Sequence, residues 1–176
     1  MDVDRAHDGE LVAMFLACRS ARDRLIVLLH CRVGLRRGQV AGLRRSDCHL
    51  LPASRALGCE HEGAHVHVRR RANANRAWSK SKREWVQPLD FLVVQAFDQH
   101  VDERLERFGA GGSDFLLVNL FRAPLGAPMS PAAMGELFDR LSKEVDTHRP
   151  RDGAPIRDFA NQCDMLLAEL TPRRMQ

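Results

Sequence analysis

Apolar residues recur at helical spacing along most of the chain, while strand-like alternation is confined to one short region. Leu11, Val12, Phe15 and Leu16 share a helix face within 9–19, with Asp8 placed to cap it. A second helix is predicted over 21–33, with Leu25, Leu28 and Leu29 together and Gly34 as its stop. A third, short helix covers 37–43. The stretch 50–63, with Pro52, Gly58 and Gly63, reads as a loop holding at most a short strand. Residues 65–69 (HVHVR) alternate as a strand does, and 84–89 suits its antiparallel partner. Between them, Asn73, Asn75 and serines favour a turn or mobile loop. Asp90 caps a long helix to about Phe108, with Leu92, Val93, Ala96, Phe97, Val101 and Leu105 inward and Gly109–Gly112 ending it. The apolar run 115–121 is either a buried strand or an extended segment. Ser130-Pro131 opens a helix reaching about Val145, because a capping serine is followed by proline at the first helical position. After a polar stretch over 146–155, a last helix is expected over 156–170, ahead of Arg173-Arg174. The expectation is a single mainly α domain with a small antiparallel β-sheet, an α+β fold.

The length of 176 residues supports one core and not two. No apolar run spans a bilayer, and the opening MDVDRAHDGE is too acidic for a secretory signal, so a cytoplasmic protein is expected. Five cysteines (Cys18, Cys31, Cys48, Cys59 and Cys163) without an export signal predict reduced thiols, with Cys18 and Cys31 as small core residues. Cys48, His49, Cys59, His61, His65 and His67 are residue types that bind zinc, but their spacing matches no standard finger, so neither a metal nor another cofactor is expected. His65 and His67 fall on one face of a strand.

Charge is unevenly distributed. The formal net charge is +4, yet residues 30–83 hold thirteen Lys/Arg against three Asp/Glu, and the stretch 69–83 holds seven basic residues and no acidic one. Concentrated positive charge marks a surface for a polyanion.

Two motifs and their order then carry a resemblance. VGLRRGQVAGLRRSD (33–47), followed by SKSKREWVQPL (79–89) and by helices leading down to Pro155-Ile156-Arg157, resembles the catalytic domain of phage-integrase-type tyrosine recombinases over about residues 9–157. In texture the chain is similar to recombinases of mobile elements, and no separate N-terminal domain is expected within these residues. The resemblance implies that Arg36 and Arg157 are the two phosphate-holding arginines and that Lys80, on the hairpin, is the general acid, with Lys82 two positions away as the competing candidate. Arginine suits the role because its planar fork matches a phosphate, and lysine can protonate a leaving oxygen. The surrounding Arg37, Arg44, Arg45, Arg69, Arg70, Arg71, Arg76, Lys82 and Arg83 are expected to contact DNA.

The chain departs from that family in three ways. It contains no tyrosine, so the nucleophile that forms the covalent intermediate is missing. Ala154 stands where a histidine precedes the second arginine, although His148-Arg149-Pro150-Arg151 offers the same spacing earlier. Gln39 stands where an acidic residue follows the first arginine. The expectation is therefore a recombinase domain incomplete at its C-terminus that binds double-stranded DNA and is inactive alone. Two alternatives stay open: an enzyme part completed by a partner protomer's tyrosine, and a regulator acting by contact with an intact recombinase. No membrane or small-molecule partner is expected. Exposed apolar surface near Phe159, Met165, Leu166 and Leu167 would favour self-association.

Overall fold

The computed structural model describes residues 8–79 and 83–148. Among the described residues five α-helices pack around a main apolar core, beside a small second cluster of Phe115, Val118 and Leu120: α1 (Asp8–Leu16), α2 (Ala21–Cys31), α3 (Arg37–Gly42), α4 (Phe91–Phe108) and α5 (Pro131–His148). A three-stranded antiparallel sheet of β1 (Cys48–His49), β2 (His65–Val68) and β3 (Trp85–Pro88), in that order, lies between α3 and α4 in sequence. Among the described residues no helix is long and apolar enough to cross a membrane.

The central helix is α2. Leu25, Ile26, Val27, Leu28 and Leu29 are all buried, so it is apolar around most of its circumference and packs against α1, α3 and α4. The Ser20 hydroxyl caps it by accepting from the Asp23 N–H, and α1 stops at Leu16, short of the expected Arg19. Gly34, at φ 75, turns the chain back while the N–H of Val33 and of Leu35 reach carbonyls of α2. Asp23 fastens the far side: its carboxylate takes Arg22 and, at 3.0 Å, Arg140 of α5.

Along α4 the buried positions are Leu92, Val93, Ala96, His100 and Arg104. Leu105 is instead exposed, because the helix face that starts at Leu92 and Ala96 continues every fourth residue through His100 and Arg104. These polar residues serve the run 115–118, which is buried, bends at Leu116 and Leu117, and among the described residues pairs through isolated bridges, Arg44 with Phe115 and Val118 with Pro128. His100 Nε2 donates to Leu116 O at 3.0 Å, and Arg104 donates to the carbonyls of Ser113, Phe115 and Leu116. The buried carbonyls are thus satisfied from a helix rather than from a neighbouring strand.

The sheet turns Val66 and Val68 into the main core, which by the two-residue period sends His65 and His67 to the opposite face. Trp85 packs on the core from β3. Ser54–Leu57 form a single 3-10 turn in the excursion between β1 and β2. Cys18 is buried and Cys31 half-buried, as expected of small core residues; burial pushes their thiols up to about 12 and about 11, so both stay protonated.

Candidate nucleic-acid interface

Arg36 stands just ahead of α3, extended at φ −78 and ψ 155. Gln39 explains the local geometry: its side-chain oxygen accepts the Arg36 backbone N–H at 2.8 Å, fixing the turn into the helix. This is how Gln39 meets Arg36, through the backbone rather than as a charge partner. The Arg36 and Arg37 side chains are both exposed. They border an open cleft of about 660 Å³ lined by Arg36, Arg37, Gly38, Gln39, Trp78, Pro131 and Ala132. Arg37 lies against α5, its Nη1 2.9 Å from the point a Cβ on Gly135 would occupy.

Trp78 reaches the cleft from the segment 69–79, which is held by hydrogen bonds to its neighbours. Asn75 donates from one amide to Ala41 O at 2.9 Å and Met129 O at 2.7 Å, and its side-chain oxygen accepts the Ala77 N–H. Asn73 donates to Ala77 O and accepts from Arg44. Arg76, at the tip, has φ 61, a left-handed conformation that side chains seldom take. The segment crosses α3 so closely that only glycine fits at position 38. Trp78 is therefore fixed in the same cleft as Arg36, two positions before Lys80 in the sequence.

No protein-family model and no curated protein matches the sequence. Among solved structures the chain is similar to XerA recombinase, with a TM-score of 0.60 and 18% identity. The chain shares the fold of that recombinase. The match takes in 100% of this chain and 66% of the recombinase, so the chain spans slightly less than two thirds of that protein's length.

On that fold the expected site residues divide into three groups. Arg36, Arg37, Arg45, Arg69, Arg70, Arg76 and Arg83 are exposed. Arg70 lies over Trp78, 5.0 Å from the ring centroid, so the exposed tryptophan carries a cation on its face. Arg44 and Arg71 are half-buried and engaged within the chain. Arg71 grips Asp47 with both terminal nitrogens, at 2.6 and 2.7 Å. Arg44 pairs with Asp114 at 2.6 Å and stacks 3.5 Å over Phe115. Their first role is to tie the basic turn to the sheet and to the 113–116 segment. Lys80, Lys82 and Arg157 lie outside the described residues, as do Phe159, Met165, Leu166 and Leu167 and the predicted helix 156–170.

The sequence reading missed Asp47, which is 1% exposed and holds Arg71 and Arg69 in place. The available signal was its position: it is the only acidic residue between positions 30 and 59 and directly follows Arg44-Arg45-Ser46. It also set aside the histidines of the sheet. His49, Cys59, His65 and His67 bring one ligand atom each within 4.8 Å of one another. Burial, ahead of the neighbouring cations and imidazoles, lowers the pKa of His49 and His67.

Proposed function

We propose that this chain grips duplex DNA through its phosphates and does not cut a strand by itself. One arrangement carries the reading: Arg36, Arg37 and Trp78 share one open cleft on a recombinase fold. Arg36 and Arg37 would hold non-bridging phosphate oxygens in the cleft, where the planar guanidinium gives paired hydrogen bonds. Arg69, Arg70 and Arg76 would extend the contact along the backbone, and Arg45 and Arg83 add charge at its margin. Trp78, with Arg70 on its face, offers a flat surface at the mouth. Lys80 would stand ready to protonate a leaving oxygen, but these 176 residues include no tyrosine to attack the phosphorus.

The test is binding of labelled duplex DNA across a salt series, with Arg36→Ala, Arg76→Gly and Lys80→Ala beside the parent and a nicking assay on supercoiled plasmid. Binding should fall linearly on a log–log plot, and each lost phosphate contact should reduce the slope by about 1. Arg76→Gly is informative because glycine accepts φ 61 freely, so charge is removed without straining the turn. Plasmid should remain uncut throughout. Absence of binding at low salt would end the DNA reading, and nicking by the parent would end the claim that the chain is inactive alone.

A further inference from the structure

We propose that His49, Cys59, His65 and His67 form a structural zinc site that staples the 50–63 excursion to the face of the sheet. The proposal is independent of the DNA reading. The residues come from three places. His49 lies on β1 directly opposite His65 on β2, and His67 follows His65 on the same face. Cys59 arrives from the excursion, just after Gly58 turns the chain at φ 78. Ser54 holds the excursion in shape by donating its hydroxyl to Leu51 O and Gly63 O, each at 2.8 Å.

Three of the ligand atoms are spaced as one face of a tetrahedral site requires, and all four lie within 4.8 Å of one another. Cys59 Sγ lies 3.3 Å from His65 Nε2 and 3.4 Å from His67 Nε2, and the two Nε2 atoms are 3.1 Å apart. Zinc bonds to nitrogen and sulfur set tetrahedral edges of about 3.3–3.6 Å, so the triangle is within a few tenths of an ångström of one face of the polyhedron. The fourth position belongs to His49, whose ring centroid is 4.9 Å from that of His65 and 4.8 Å from that of His67. Its Nδ1 is buried and has no hydrogen-bond partner among the described residues. His61 is exposed, and its ring centroid stands 5.6 Å and 6.0 Å from those of His65 and His67, outside the set.

Protons alone do not account for this cluster. His65 Nδ1 lies 2.8 Å from Gly63 O, a group that can only accept, so the proton of a neutral His65 is on Nδ1 and its Nε2 presents a lone pair. The three-way contact then has a thiol proton and at most one His67 proton for three edges. A cation at the centre satisfies all three lone pairs at once, and the Gly63 carbonyl supplies the outer hydrogen bond that typically orients a metal-bound imidazole. One thiolate with three imidazoles selects zinc over magnesium or calcium, and four protein ligands leave no open position, which makes the site structural rather than catalytic. Its effect is to hold together β1, β2 and the loop between them. The opposite face of β2 already packs on the core through Val66 and Val68.

The test uses the full chain, purified without a histidine tag from zinc-supplemented medium. Elemental analysis should find about one zinc per chain. Cobalt chloride added to the reduced, metal-stripped protein should give the strong visible bands of tetrahedral cobalt and a sulfur-to-cobalt charge-transfer band in the near ultraviolet. Cys59→Ser should abolish the charge-transfer band and weaken zinc binding by more than the roughly 10–100-fold typical of losing a group that merely orients a ligand, while Cys48→Ser, altering a neighbouring thiol outside the set, should leave both intact. Chelation should lower the unfolding temperature, and zinc should restore it. A folded parent that holds no zinc and gives no cobalt spectrum overturns the proposal. So does a Cys59→Ser variant with unchanged stoichiometry and spectrum. Circular dichroism on each sample separates either result from loss of the fold.

Discussion

The carbonyl oxygen of Trp78 lies 2.2 Å from the point a Cβ on Gly38 would occupy. No side-chain rotamer relieves that contact, because the obstacle is backbone. Gly38→Ala must therefore push the 73–79 turn away from α3. The expected cost is about 1–3 kcal/mol, in the range of overpacked cores. Hydrogen exchange should quicken at Ala77, whose N–H is held by the Asn75 side chain, and DNA affinity should drop together with stability. Gly135→Ala meets only the movable tip of Arg37 and should be far milder. Equal unfolding temperatures for the two variants would contradict this account.

A second contrast sets Arg104 against its neighbour Leu105. By hydropathy Leu105 belongs to the core, yet it is 43% exposed while Arg104 is 6% exposed. Arg104→Ala removes a donor shared by three backbone carbonyls: Leu116 O keeps His100, but those of Phe115 and Ser113 lose the guanidinium, at a cost of about 2–3 kcal/mol. Leu105→Ala should cost less than about 1 kcal/mol, as surface substitutions do. Urea denaturation of the two variants decides the matter, and the reverse order of stabilities would refute the assigned face of α4.

These cases show what the sequence made legible. Elements with a strong local signal were readable: Gly34 stops α2, Asp90 accepts the Val93 N–H at the head of α4, and Ser130 accepts the Ala133 N–H at the head of α5. The strands at 65–69 and 84–89 were found within a residue or two, since alternation survives in a single sequence. What the pattern did not carry was anything set by partners distant in the chain. His100 and Arg104 are inward because a strandless segment needs donors. Arg44 and Arg71 are half-buried because Asp114 and Asp47 fold against them. The histidine cluster fitted no standard spacing because its ligands come from two paired strands and a long loop, and register is a tertiary property.

Asp47 gives a third prediction. It is buried, and it accepts both Arg71 nitrogens and the Arg44 N–H at 2.9 Å. The hydrogen bond to Asp47 raises the Arg71 pKa further, so the arginine stays charged at any accessible pH. Asp47→Ala leaves a half-buried guanidinium without its counter-ion and should destabilise by about 3–5 kcal/mol. Arg71→Met in the same background should recover part of that loss, because the stranded charge goes with it. A double-mutant cycle measures the coupling, and strict additivity of the two losses would show that the pair does not act as a unit.

The last prediction concerns acid. His100 is fully buried, and desolvation, only partly opposed by its hydrogen bond to Leu116 O, lowers its pKa from an ordinary 6.5 to about 4. The folded chain thus keeps this imidazole neutral, while the unfolded chain takes up a proton below pH 6.5. Acid therefore favours unfolding. The stabilising contribution is whole above pH 6.5 and is lost as the pH falls through about 4, to a total of about 3 kcal/mol. Between pH 7 and pH 5 the loss from this one residue should be roughly 2 kcal/mol. His100→Gln is the matched control, since the glutamine amide can still donate to Leu116 O but does not titrate. Denaturant midpoints of parent and variant across this range should converge as the pH falls, because the parent alone carries the His100 penalty while all other acid-sensitive groups act on both. A constant difference between the two curves from pH 7 to pH 4 would show that His100 takes up its proton in the folded chain as readily as in the unfolded one, hydrated rather than desolvated.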